Sequence, residues 1–107
     1  MTQAADSSAT VAVLDTDTAS RLSEIFAAMA DPNRLRIISA LSHHELNVSE
    51  LSKLVDMTKS ATSHQLRLLR TMRIVRARKA GRQVFYLLHD NHIHDLLDRG
   101  NTHIQHE

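Results

Sequence analysis

Cysteine is absent from the 107 residues, which excludes disulfides, thiolate metal sites and cysteine nucleophiles. Proline occurs once and glycine twice, too few for an all-β fold rich in tight turns, so a mostly helical chain is expected. Tryptophan is also missing, and one Tyr and two Phe leave the core to aliphatic side chains. No apolar run approaches the roughly 20 residues that span a bilayer. No Lys or Arg precedes Arg21, and the one early apolar stretch, Ala9 to Leu14, is short, so the N-terminus does not read as a secretory signal. Together these absences point to a cytoplasmic protein without a membrane partner.

Acidic residues are missing from one long interval. Between Asp56 and Asp90 there is none, while Lys59, Arg67, Arg70, Arg73, Arg76, Arg78, Lys79 and Arg82 supply eight of the thirteen basic residues. The net charge of +1 therefore hides a segregated positive block, the footprint of a polyanion-binding face. The length suits a single domain, and one small enough to gain from dimerisation.

Residues 1–16 are rich in Ala, Ser, Thr and Asp without a period and read as a mobile arm, leaving 17–107 as the folded domain. Leu22, Ile25, Phe26 and Met29 form an apolar stripe on a first helix from about Asp17 to Met29. Asp31 and Pro32 supply the N-cap and first position of a second, which carries Leu35, Ile37, Ile38 and Leu41. Asn47 with Glu50 makes a capping box for a third, whose expected buried face is Leu51, Leu54 and Val55. Thr58 caps a fourth reaching about Met72. Thr62, Leu66, Leu69 and Met72 point inward there, and Lys59, Ser60, Ser63, His64 and Arg67 lie opposite.

The period then changes to alternation. Val75 and Ala77 alternate with Arg76 and Arg78, and Val84 to Leu88 follows after Gly81, which predicts a two-stranded hairpin. Asp90 starts a final helix. The expected fold class is thus mainly α with a small β-hairpin. A short helix, a turn and a second helix with a polar outer face make a helix-turn-helix, and the basic hairpin beside it is a wing. The residues placed on DNA are Lys59, Ser60, Ser63, His64, Arg67, Arg76, Arg78, Lys79 and Arg82.

Three strings, Asp31-Pro32-Asn33-Arg34-Leu35-Arg36-Ile37-Ile38, Ser63-His64-Gln65-Leu66-Arg67-Leu68-Leu69-Arg70 and Gly81-Arg82-Gln83-Val84-Phe85-Tyr86, resemble the ArsR/SmtB family of metal-responsive winged-helix repressors. The resemblance covers roughly residues 18 to 107. It implies a homodimer paired through its first and last helices, binding to an imperfect inverted repeat in double-stranded DNA, and release by an inducer. Thiolate-sensing members carry Cys where this chain has Asn47, so arsenic, cadmium or lead sensing by thiolates is not expected.

Asp90, His92, His103 and His106 resemble the last-helix site of the family's zinc and cobalt sensors, and their spacing makes chemical sense by itself. His103 and His106 are i, i+3 and share a helix face. Asp90 and His92 converge if Asp90 sits at the N-cap, outside helical geometry. The eleven positions from His92 to His103 span about 16 Å of helix, far beyond metal bonds of about 2 Å. Two antiparallel copies of the helix would bring one half-site against the other. Three imidazoles and a carboxylate suit zinc, or cobalt, as inducer rather than catalyst. Gly100, between the half-sites, either permits close helix packing or ends the helix, and Glu107 is a substitute oxygen donor. His89 and His94 lie off the chelating face and are expected in solvent or, at most, behind the ligands, and His43-His44 reads as a polar loop whose two neighbouring imidazoles could take up metal adventitiously. A zinc enzyme needs an open coordination position and a cleft, and no nucleophile motif accompanies these residues. The alternative within the same fold is a repressor with a non-metal signal, its last helix serving dimerisation alone.

Overall fold

The computed structural model describes residues 12–107. Five helices and one hairpin follow in order: α1 (Thr16–Met29), α2 (Pro32–Leu41), α3 (Val48–Val55), α4 (Lys59–Thr71), β1 (Val75–Ala80), β2 (Gln83–Leu88) and α5 (Asn91–Gln105). Most of the arm expected at residues 1–16 lies outside the described residues. Its last two positions belong to α1. Asp15 is the N-cap and accepts from the Thr18 backbone N–H at 2.8 Å and the Thr18 hydroxyl at 3.0 Å, which holds its carboxyl below the ordinary range. Helix α1 therefore opens at Thr16 and not at Asp17.

Every helix start in the sequence carries an oxygen that satisfies its free N–H groups. Asp31 accepts from the N–H groups of Asn33 and Arg34 ahead of Pro32, and Thr58 accepts from Ala61 at 3.0 Å. Asn47 and Glu50 close a reciprocal capping box at 2.8 and 2.9 Å. The Asn47 amide also donates to Gln83 Oε1 at 3.1 Å, which fastens the start of α3 to the hairpin. Replacing Asn47 by Ala should therefore cost about 1 kcal/mol or somewhat more in urea unfolding. An unchanged midpoint would remove the cap from the stability of this fold.

With glycine so scarce, two helix ends use other residues in the left-handed region. Asp56 (φ 56) closes α3 and Arg73 (φ 59) follows α4. In both, an N–H reaches back five residues, Met57 to Ser52 O at 3.0 Å and Ile74 to Leu69 O at 2.9 Å. The first makes the tight turn between α3 and α4. The second throws the chain into β1.

The hairpin is antiparallel, with Val75 opposite Leu88 and Ala80 opposite Gln83. Its two-residue loop needs a positive φ at the first position, and Gly81 (φ 63) supplies it. Leu46 adds a short bridge to Tyr86 on the far side of β2.

The core is aliphatic, as composition demanded. Ile37, Ile38, Leu51, Leu66, Leu69 and Ile74 are fully buried, with Thr62 beside them. Leu54 departs from the expected buried face and is 60% exposed. At about 100° per residue, Leu51, Val55 and the buried Ser52 lie on one arc, and Leu54 falls outside it. This is a winged helix-turn-helix: α3 and α4 form the helical pair, β1 and β2 the wing, and α1, α2 and α5 pack behind.

Candidate functional site

The outer side of α4 is set by its inner side. Thr62, Leu66 and Leu69 anchor the helix in the core at i, i+4, i+7. Ser60, Ser63, His64 and Arg67 then occupy the opposite stripe at i, i+3, i+4, i+7, and all but Ser63 are exposed. Lys59 is exposed at the first position of α4, just behind the Thr58 cap. Two arginines that pattern alone did not mark hold the helical pair in place. Arg34 donates to Ala28 O and, through Nη1, to Gln65 Oε1 at 3.2 Å, tying α2 to α4. Arg36 Nη1 donates to Val55 O at 2.8 Å and satisfies a carbonyl at the end of α3.

On the wing, Lys79 and Arg82 flank the Gly81 turn and are exposed. Arg76 is also exposed and lies across from Leu87. Arg78 is engaged: its Nε is 2.7 Å from Glu45 Oε1, and its guanidinium lies 5.4 Å from the Phe85 ring centre. Of the nine residues expected on DNA, Arg78 thus has a partner 33 positions away that no local pattern reveals. An exposed pair of this kind contributes about 0–1 kcal/mol, so a phosphate can compete for it.

Asp90 and His92 come together as expected. Asp90 is the N-cap of α5 and accepts from the His92 backbone N–H at 2.9 Å. Its Oδ1 also lies 3.2 Å from His92 Nδ1, with both side chains open to solvent. Partial desolvation raises the pKa of the Asp90 carboxyl. The backbone N–H of His92, its charge and its side-chain hydrogen bond outweigh that and hold the group below the ordinary range. Asp90 is thus kept as the carboxylate a cation requires.

Helix α5 runs through Gly100 without a break, so glycine does not end it there. His103 lies in its last turn and His106 is its C-cap, the His106 N–H donating to His103 O at 3.2 Å. Both are exposed. The unbroken helix keeps the two pairs apart, and among the described residues no group of three or more potential ligands comes together in one chain.

His89 is exposed as expected, but His94 is not free in solvent. Its ring meets His43 edge to face at 5.9 Å, and its Nδ1 is buried without a hydrogen-bond partner. Loop histidines and α5 histidines meet through the packing of α2 on α5, which local pattern does not carry. His43 and His94 also border a groove of about 590 Å³ between α1, α2 and α5, along which Phe26, Leu35, Leu96 and Ile104 leave large apolar side chains exposed. No helix among the described residues is long and apolar enough to cross a membrane.

The family model described as bacterial regulatory protein, arsR family, matches residues 31–77, which runs from the Asp31 cap to the first wing strand. The transcriptional repressor SmtB homolog of Synechocystis sp. is 45% identical over 93 residues, 87% of this chain and 70% of that protein. The HTH-type transcriptional regulator NmtR of Mycobacterium tuberculosis is 39% identical over 95 residues, 89% of this chain and 79% of that one. The solution structure of apo-NmtR superposes with a TM-score of 0.76 at 38% identity, over 92% of this chain and 82% of that chain. HlyU from Vibrio cholerae superposes with a TM-score of 0.73 at 31% identity, over 78% of this chain and 91% of that one.

Proposed function

The chain belongs to the arsR family of bacterial regulatory proteins, and on that basis we propose that it is a metal-responsive repressor. It would bind an inverted-repeat operator as a homodimer in the cytoplasm and leave it when zinc, or cobalt, binds. The names of its relatives, a transcriptional repressor and a helix-turn-helix regulator, support the DNA-binding part.

One observation carries the metal part. Asp90 Oδ1 and His92 Nδ1 stand 3.2 Å apart at the head of α5. Two ligands about 2.0–2.1 Å from a tetrahedral ion are separated by roughly 3.3 Å. That separation matches two corners of a zinc tetrahedron, a geometry reached when zinc takes the place of the proton that His92 Nδ1 shares with Asp90. The other two donors, His103 and His106, lie at the far end of the same unbroken helix. They complete the set only from a second copy, with α5 antiparallel to α5 across a two-fold axis. Symmetry then gives two equivalent sites. The exposed apolar groove along α1 and α5 favours that pairing, since large exposed apolar patches mark association surfaces.

On DNA, α4 would enter the major groove with Ser60, Ser63, His64 and Arg67, Lys59 at its start, while α3 braces it. Lys79 and Arg82 at the wing turn, with Arg76 and Arg78 on the strand behind, would meet phosphates beside the groove. Two such heads fit successive major-groove faces about 34 Å apart. A bound ion supplies a fixed link between the two α5 helices. Asp90 and His92 hold their side of that link at the very start of α5. His89, just before it, donates its backbone N–H to Ile74 O at 2.9 Å, so α5 and the wing share a joint. A change in how the two α5 helices lie is thereby passed to the wing and α4.

Zinc titrated into a complex of the dimer with a palindromic operator should release the DNA, read by fluorescence anisotropy. Unchanged affinity would reject the reading. The release should weaken as pH falls toward about 6, because imidazoles must be neutral to ligate. Asp90 does not drive that change. Its pKa is depressed, so its carboxylate persists above the lowered value and is lost only below it. A pH-independent response would point to ligands other than His.

A further inference from the structure

Four of the eight histidines, His43, His44, His89 and His94, line a single polar cleft of about 280 Å³ between the α2–α3 connection, the end of β2 and the start of α5. None belongs to the donor set assigned above. We propose that this cleft is a second binding site for a zinc-class divalent cation, built on the imidazoles of His43 and His94. The inference does not rest on release from an operator.

Two observations point to it independently. The first is ring geometry. The His43 and His94 centroids are 5.9 Å apart with their planes at 76°. Two imidazoles sharing an ion, each nitrogen about 2.0–2.1 Å from it, leave their ring centres roughly 5–6 Å apart. The second is an orphaned atom. His94 Nδ1 is buried with no hydrogen-bond partner. Buried polar atoms without partners are rare, and an imidazole nitrogen in that position keeps its lone pair available to a cation or a water.

The chemistry of the walls sets the class of ligand. Neutral imidazole nitrogens suit zinc, nickel or copper and not the hard cations calcium and magnesium. Glu45 lines the cleft but is taken by Arg78 at 2.7 Å. Asp90 lines it too, with Oδ1 committed to His92. Arg76 opposes a cation there, and the Asp90 carboxylate offsets it. No three donors are already gathered among the described residues. The exposed His44 and His89 must swing in to supply the third nitrogen, so this site binds more weakly than a preformed one. When filled, it would tie the first turn of α5 to the connection that leads into the Asn47 cap of α3.

The test uses the full chain with His92, His103 and His106 all replaced by Ala, which disables the other site. Equilibrium dialysis against zinc or cobalt should still find one ion per chain. Adding His43→Ala and His44→Ala should remove it, with circular dichroism confirming that the helices persist. Nitrogen NMR gives a reading that does not depend on those further variants: zinc should shift the ring nitrogens of His94 in the triple variant. Absence of any retained ion, or an unmoved His94 signal, would overturn the proposal. Neither result bears on operator release, which is measured on the unaltered chain.

Discussion

Replacing both His103 and His106 by Ala should leave operator binding intact and abolish its response to zinc. Both side chains are exposed at the end of α5, and neither takes part in the core or in the α3–α4 pair. Removing them costs no buried contact, so the fold and the α4 face persist. What disappears is half of the donor set. Coupling between two ligands of a regulator is typically 5–150-fold in affinity, and the unaltered chain should show a loss of that order on adding zinc. The double variant should show none, with the same affinity in the metal-free state. Anisotropy titrations with and without zinc read both quantities. If zinc still released the DNA, the inducing site would lie elsewhere. Because coupling is reciprocal, operator DNA should also weaken zinc binding by the same factor.

The largest effect on stability is expected from Leu66→Ala. Leu66 is fully buried on the inner face of α4, beside Thr62 and Leu69. Truncating a buried Leu removes its transfer free energy and leaves a cavity, a loss of about 2–5 kcal/mol. Domains of this kind have only about 5–15 kcal/mol to lose. The urea midpoint should fall accordingly, and DNA affinity with it, because the same helix carries Ser63 and Arg67. Leu54→Ala is the control. The sequence places Leu54 with the core, but it is 60% exposed, and its truncation should move stability by no more than about 0.5 kcal/mol. Equal losses at the two positions would contradict the packing described.

What the sequence made legible was mostly local. Caps read correctly because an oxygen must meet free N–H groups within three residues, so Asp31, Asn47, Thr58 and Asp90 could be placed without a fold. Gly81 read correctly because only one position of a short hairpin loop demanded its φ. The pairing of Asp90 with His92 was legible for the same reason, since a cap lies outside helical geometry.

What was hidden depends on packing between distant segments. Arg78 and Glu45 are 33 positions apart, and their pairing follows from where the loop before α3 crosses the wing. His94 was expected in solvent because helical period alone assigns faces, and period cannot tell that α2 brings His43 to that face. Leu54 failed for a related reason: it sits at the edge of the apolar arc of α3, and period does not say how far the neighbours cover that arc. Gly100 stays helical because a single Gly costs only about 1 kcal/mol, and α5 is held through the packing of Ile93 and Leu97 on the core.

The central claim is that two chains share each ion, and mixed dimers test it most directly. One chain carries Asp90→Ala and His92→Ala, the other His103→Ala and His106→Ala, and both also carry His43→Ala and His44→Ala so that the cleft beside α5 takes no ion. Each alone lacks half of every site, and neither homodimer should respond to zinc. In the mixed dimer one site regains all four donors, and the other loses all four. Cobalt titration followed by visible absorption should then show one tetrahedral ion per mixed dimer and none for either homodimer. A mixed dimer as silent as its parents, or a homodimer that already binds, would show that the donors do not meet across the two chains.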